Sequence, residues 1–154
     1  MAENVVYNSY AAIRDLLRSN LTDPAARGDV KWIRKVFPQI EATGDFPLIT
    51  INQITTSTNL LGLNDASEEF VASLQIDVWI KEGNAYTISS ESYAGGRLRD
   101  KIASDVMNEL MTNKAISPNI YRVENTRFED VDFDNEKDII RKSMDFDIYY
   151  RWVK

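Results

Sequence analysis

Arg141-Lys-Ser-Met-Asp-Phe-Asp-Ile-Tyr-Tyr-Arg-Trp-Val153 decides the fold class of this chain. In an extended backbone successive side chains point to opposite faces, so Met144, Phe146, Ile148, Tyr150 and Trp152 line one face. Ser143, Asp145, Asp147, Tyr149 and Arg151 line the other. Sustained period-two alternation marks a strand with one face on a core. Chain ends fray unless they are paired, so a strand this close to Lys154 is expected inside a sheet, with no tail after it.

The same period recurs upstream. From Glu69 to Lys81, Phe70, Ala72, Leu74, Ile76, Val78 and Ile80 alternate with Val71, Ser73, Gln75, Asp77 and Trp79, which predicts a long central strand. Thr43-Gly-Asp-Phe-Pro47 reads as a turn leading into a β-branched strand from about Leu48 to Thr56. Ile120 to Asp134 alternates as well, with a slip of register near Asn125-Thr126 that suggests a bulge. Val30 to Phe37 is expected to form a short strand that stops at Pro38.

Two segments carry helical spacing instead. Val6, Tyr10, Ile13, Leu17 and Leu21 share one face of a first helix, and Leu98, Ile102, Ala103, Val106, Leu110 and Met111 share one face of a second, from about residue 93 to 114. Ser57 to Ser67 shows neither period and is expected to be a loop. Glu82-Gly-Asn84 is expected to turn. The order of helix, strands, helix and strands predicts one α+β domain over residues 1–154. Its sheet is mostly antiparallel, with four to five strands and both helices packed on one face.

Composition bounds the chemistry. A chain of 154 residues with 44% hydrophobic and 27% charged residues can bury a real core. No stretch approaches the roughly 18 consecutive apolar residues of a membrane helix, and no signal-peptide core opens the chain, so a soluble cytoplasmic protein is expected. With no Cys and no His, no thiolate nucleophile, imidazole base or Cys/His zinc site can be assembled from this chain. A net charge of −6 disfavours binding to nucleic-acid phosphates.

What remains is thin. Asp130, Asp132 and Asp134 alternate as in a calcium loop, but Asn135 stands where glycine is needed and Arg141 where a bidentate Glu is needed. The segment is read as a strand with an acidic, solvated side. Gly95-Gly96 precedes a helix without the Lys-Ser or Lys-Thr of a phosphate loop and is read as a helix start. Asp145 and Asp147 lie two apart on one strand face, a spacing common by chance among 24 acidic residues. We therefore expect no enzyme, no cofactor, no metal site and no catalytic residue. Trp79 shares its face with Asp77 and Lys81, which leaves two readings open: an anchor at a protein interface, or an indole covered within its own chain. Tyr149 carries the same two readings.

The order of these segments resembles the tail terminator, or tail-completion, family of long-tailed bacteriophages. The resemblance rests on Tyr10-Ala-Ala-Ile-Arg-Asp-Leu-Leu17, Phe46-Pro-Leu-Ile-Thr-Ile51 and Ser73-Leu-Gln-Ile-Asp-Val-Trp-Ile80, followed by the helix from Leu98 to Met111 and the strand from Arg141 to Tyr150. It implies a structural virion protein, assembled in the host cytoplasm, that forms a hexameric ring at the head-proximal end of the tail. The ring caps the tail tube, stops its polymerisation and provides the surface for joining to the head. The implied partners are further copies of the chain, the tail tube protein and a neck or connector protein. DNA passes through the lumen unbound, and no membrane is involved. A closed ring is heterologous, so two different patches must match. The candidate interface residues are Trp79, Tyr149, Asn59, Leu60 and Leu61 in the 57–68 segment, and Asn84 and Tyr86 in the 82–92 segment. A head-completion neck protein, a tail-tube-related subunit and an oxygen-ligand metal enzyme are the alternatives.

Overall fold

A computed structural model of the chain describes residues 2–28, 30–35, 46–60, 67–112, 116, 119–132 and 138–153. In order these are α1 (Ala2–Asn20), a 3-10 turn (Val30–Trp32), β1 (Ile33–Arg34), β2 (Leu48–Leu60), β3 (Ser67–Lys81), β4 (Ala85–Ile88) and β5 (Glu91–Ala94). They are followed by α2 (Gly95–Thr112), β6 (Ile120–Asp132) and β7 (Ile139–Val153). The fold is α+β. A five-stranded sheet runs in the order β1-β2-β3-β7-β6, and β4 and β5 form a separate hairpin.

The sheet is built around the two strands with the cleanest alternation. β3 and β7 pair antiparallel along their whole length, from Ser67 opposite Val153 to Lys81 opposite Ile139. This register sets Leu74 beside Phe146, Ile76 beside Met144 and Ala72 beside Ile148, so both core faces coincide. β2 and β6 add antiparallel on either side. β1 pairs parallel with the start of β2, Ile33 with Ile49 and Arg34 with Thr50, which makes the sheet mixed rather than purely antiparallel.

Both helices cover one face. Ile13 and Leu17 of α1 join Leu98, Ile102, Ala103, Val106 and Leu110 of α2 over Ile49, Ile51, Leu74, Ile76, Met144, Phe146 and Ile148, and all are buried. The Arg18 Nε donates to the Ile33 carbonyl at 2.9 Å, and Asn20 donates to Glu109 at 2.9 Å, which ties α1 to β1 and to α2. Asp23 closes the turn after α1. Its carboxylate accepts from the Ala25 and Arg27 N–H groups at 2.9 and 3.1 Å and from the Arg27 guanidinium, which also reaches the Pro47 carbonyl at 2.6 Å. Burial works against that carboxylate, but Arg27 and the two N–H donors outweigh it and hold Asp23 below the usual carboxylate range.

Several expectations change in detail. The segment from Val30 to Phe37 holds only two strand residues after a 3-10 turn, and residues 36 and 37 lie outside the described residues. Of the expected loop from Ser57 to Ser67, the described residues at both ends are strand, since β2 continues to Leu60 and β3 begins at Ser67; residues 61–66 lie outside the described residues. Residues 85–94 form a hairpin whose turn residues Ser89 and Ser90 have φ of 50° and 69°, the geometry of a two-residue primed turn without its usual glycine. The weak alternation of such short strands hides them in the sequence. The bulge near Asn125-Thr126 is present, as a register shift between Asn125 and Arg127, and a second shift lies between Ile120 and Arg122. Gly95 starts α2 with φ of 53°, a conformation that glycine adopts at little cost.

Candidate interaction surface

The sheet has a second face, turned away from both helices. Cross-strand neighbours there form rows. Thr50, Asp77, Ser143 and Glu129 make one, and Asn52, Gln75, Asp145 and Arg127 make the next. Toward one end lie Leu48, Trp79 and Arg141; toward the other lie Ser73, Asp147 and Glu124, then Val71, Tyr149 and Arg122. The period that sends large apolar residues into the core sends these polar ones here.

Arg127 is the hub of the face. Its Nε and Nη2 donate to the two Asp145 oxygens at 2.8 and 3.0 Å, Nη2 also donates to the Ser143 hydroxyl at 2.6 Å, and Nη1 contacts Glu129. Asp145 first, then Glu129, raise the guanidinium pKa above its already high ordinary value. Ser73 donates to Asp147 at 2.6 Å, and the Tyr149 hydroxyl donates to Glu124 at 2.9 Å. The Arg122 guanidinium lies 4.7 Å from the Tyr149 ring centre and also pairs with Glu124, while Arg151 lies 4.9 Å from the Tyr121 ring centre.

Asp77 lies in the middle, fully buried. The Gln75 amide donates to its Oδ2 at 2.9 Å, Arg141 Nη1 stands 4.0 Å away, and Oδ1 has no hydrogen-bond partner. Burial pushes this carboxyl up by more than Ser143, Gln75, Arg141 and Arg127 hold it down. A folded-state pKa above the unfolded one means that the native state binds the proton more tightly, so this group's contribution to stability falls as pH rises through its titration. Asp77→Asn is therefore expected to melt higher than the parent at pH 7, with the gain shrinking as pH approaches about 4. Thermal melts across that range check this, and a lower melting temperature for the variant at neutral pH would refute it.

Trp79 is 3% exposed and packs with Phe46, Leu48 and Ile139 in a small core on this face. Its Nε1 donates to Thr50 Oγ1 at 2.9 Å, and the Arg141 guanidinium lies 4.9 Å from its ring centre. Of the two readings, cover within the chain is the one that holds, and Trp79 is not an exposed anchor. Tyr149 is half-buried on the same face, eight residues along β7 from Arg141, the strand partner of Trp79, or roughly 27 Å at strand spacing. The structure therefore does not bring the two aromatics together. Asn59 and Leu60 end β2 opposite Glu69 and Glu68, with their side chains outside the described residues, as is all of Leu61. Asn84 is a turn residue whose Oδ1 accepts from the Lys81 N–H at 3.0 Å, and Tyr86 of β4 packs partly buried against the main core.

The acidic segment is strand as far as Asp132, and Asp130 on it is exposed. Asp130 faces α2 and not open solvent alone. Arg99 Nη2 reaches it at 3.1 Å, and Lys142, which is buried among core residues on β7, pairs with Asp130 and with Asp100 at 3.2 Å. These four charges clamp the second turn of α2 to β6 and β7. Asp132 (side chain) and Asp134 lie outside the described residues, and among the described residues no three acidic side chains converge on one point. Sequence reasoning missed Arg127, Asp77, Ser143 and Lys142 as members of networks. The only signal was alternation, which gives a residue's face but not its partner. No helix among the described residues is long and apolar enough to cross a membrane. No family model matches the chain, and no curated protein matches it.

Proposed function

We propose that this chain is a structural subunit of the tail terminator kind, working by binding alone. Copies join head to tail in a ring, of six on the family resemblance, that caps a tail tube, ends its growth and offers a surface to a head-side connector protein. The observation that carries this reading is the helix-free sheet face. It presents an ordered layer of charges and aromatics, held by Arg127, Asp145, Tyr149 and Glu124, which suits the polar rim of a protein contact. The net charge of −6 also suits a lumen through which DNA slides without adhering.

The test is negative-stain imaging with native mass spectrometry of the purified protein, alone and after mixing with preformed tail tubes. Six-membered rings with an open channel, seated at one end of the tubes and halting further growth, are the expected result. Absence of rings at every concentration together with no binding to tube ends would sink the reading, and binding to a head-side connector alone would transfer the chain to the neck.

A further inference from the structure

We propose that the outer edge of β6 is a two-fold contact between copies of this chain, joining two five-stranded sheets into one. β6 ends the strand order, and no described strand pairs with its outer side. An open edge normally invites any extended chain, and proteins guard against this with charges and bulges. β6 has both: Arg122, Glu124, Arg127 and Glu129 on the helix-free face, with register shifts at each end of the 122–125 segment. Their arrangement is self-complementary. If β6 meets itself antiparallel, with the two-fold axis between Asn125 and Thr126, Arg122 stands opposite Glu129 of the second copy and Glu124 opposite its Arg127.

The bulge is what permits this. In a regular strand Glu124 and Arg127 would point to opposite faces, because an odd separation changes sides. The extra residue at Thr126 returns both to the helix-free face, where Glu124 is the strand neighbour of Asp147 and Arg127 of Asp145. The same register sets Val123 opposite Phe128 on the helix side. Phe128 is 41% exposed there, and Val123 lines a cleft of about 390 Å³ with Leu110, Ile116, Ile120 and the 46% exposed Met111. An exposed ring on one half of β6 thus meets, on the other half, a cleft where Leu110, Met111 and Ile116 stand beside Tyr121 and Arg122, twice over. Arg122 already pairs with Glu124 and Arg127 with Glu129 along the strand, and a second copy offers each of the four a further partner of opposite sign, which a generic strand does not. This contact is two-fold, so it is separate from the head-to-tail contacts of a ring and does not rest on them.

Light scattering coupled to size exclusion, over a dilution series, tests it on four proteins whose folding is checked by circular dichroism. The parent is expected to pair through β6, as a dimer where rings have not formed and as two joined rings where they have. Arg122→Glu sets glutamates against each other at both symmetry-related positions and is expected to weaken the dimer about ten-fold or more. Adding Glu129→Arg to Arg122→Glu restores opposite charges and is expected to restore the dimer. Phe128→Ser, which removes the apolar half of the contact, is expected to dissociate it without changing any charge. A parent that is monomeric throughout, or a dimer or hexamer that Arg122→Glu and Phe128→Ser leave intact, overturns the proposal. An intact hexamer overturns this contact while leaving the ring reading standing.

Discussion

Trp79→Ala is expected to destabilise the folded chain by about 3 to 5 kcal/mol, the range for removing a buried large aromatic. The indole is 3% exposed and fills the small core formed with Phe46, Leu48 and Ile139. Its loss also leaves Thr50 Oγ1 without its donor, on a buried hydroxyl that water cannot reach, and takes away the aromatic surface on which the Arg141 guanidinium rests. Chemical denaturation monitored by circular dichroism measures the loss. Trp79→Phe keeps most of the volume but not the N–H donor, and should recover most of the difference. A folded, fully stable Trp79→Ala protein that fails only in assembly would return Trp79 to the role of interface anchor.

Arg127→Ala is expected to cost about 2 to 3 kcal/mol, since it removes charge-assisted hydrogen bonds to Asp145 and the contact to Ser143 in one step. The guanidinium is partly exposed, which keeps the effect below that of breaking a fully buried pair. The damage should be local. β6 pairs only with β7 among the described strands, so its amide hydrogens are expected to exchange faster while those of β3 keep their protection. Arg127→Lys retains charge but not the paired donors, and should recover less than half of the loss. Unchanged exchange along β6 in Arg127→Ala would show that the hub does not hold the edge strand.

The two predictions mark how far the sequence could be read. Alternation placed Phe146 inward and Asp145 outward on β7 correctly, because a strand side chain's direction follows from its own position in the pleat. The same rule put Trp79 and Asp77 on the face away from the helices, and that too is where they lie. What alternation could not supply was the cover. Trp79 is buried by Phe46 and Leu48 at the entry to β2 and by Ile139 at the start of β7, and nothing within its own strand announces them. Asp130 is exposed as expected, but its partners Arg99 and Lys142 could not be read because they are distant in sequence. The hairpin at residues 85–94 was missed because strands of four residues offer too few alternations to register.

By itself, then, the sequence determined the two helices, the long strands, the bulge in β6 and which residues β3 and β7 turn to each side, since all of these follow from backbone period and local turn chemistry. Only the tertiary structure decided the parallel pairing of β1, the strand order that leaves β6 at an edge, and the partners of Trp79, Asp77, Arg127 and Lys142. Those are contacts between residues far apart in the chain, set by how whole faces pack and which charges are thereby brought within reach of one another, and local periodicity carries no record of them.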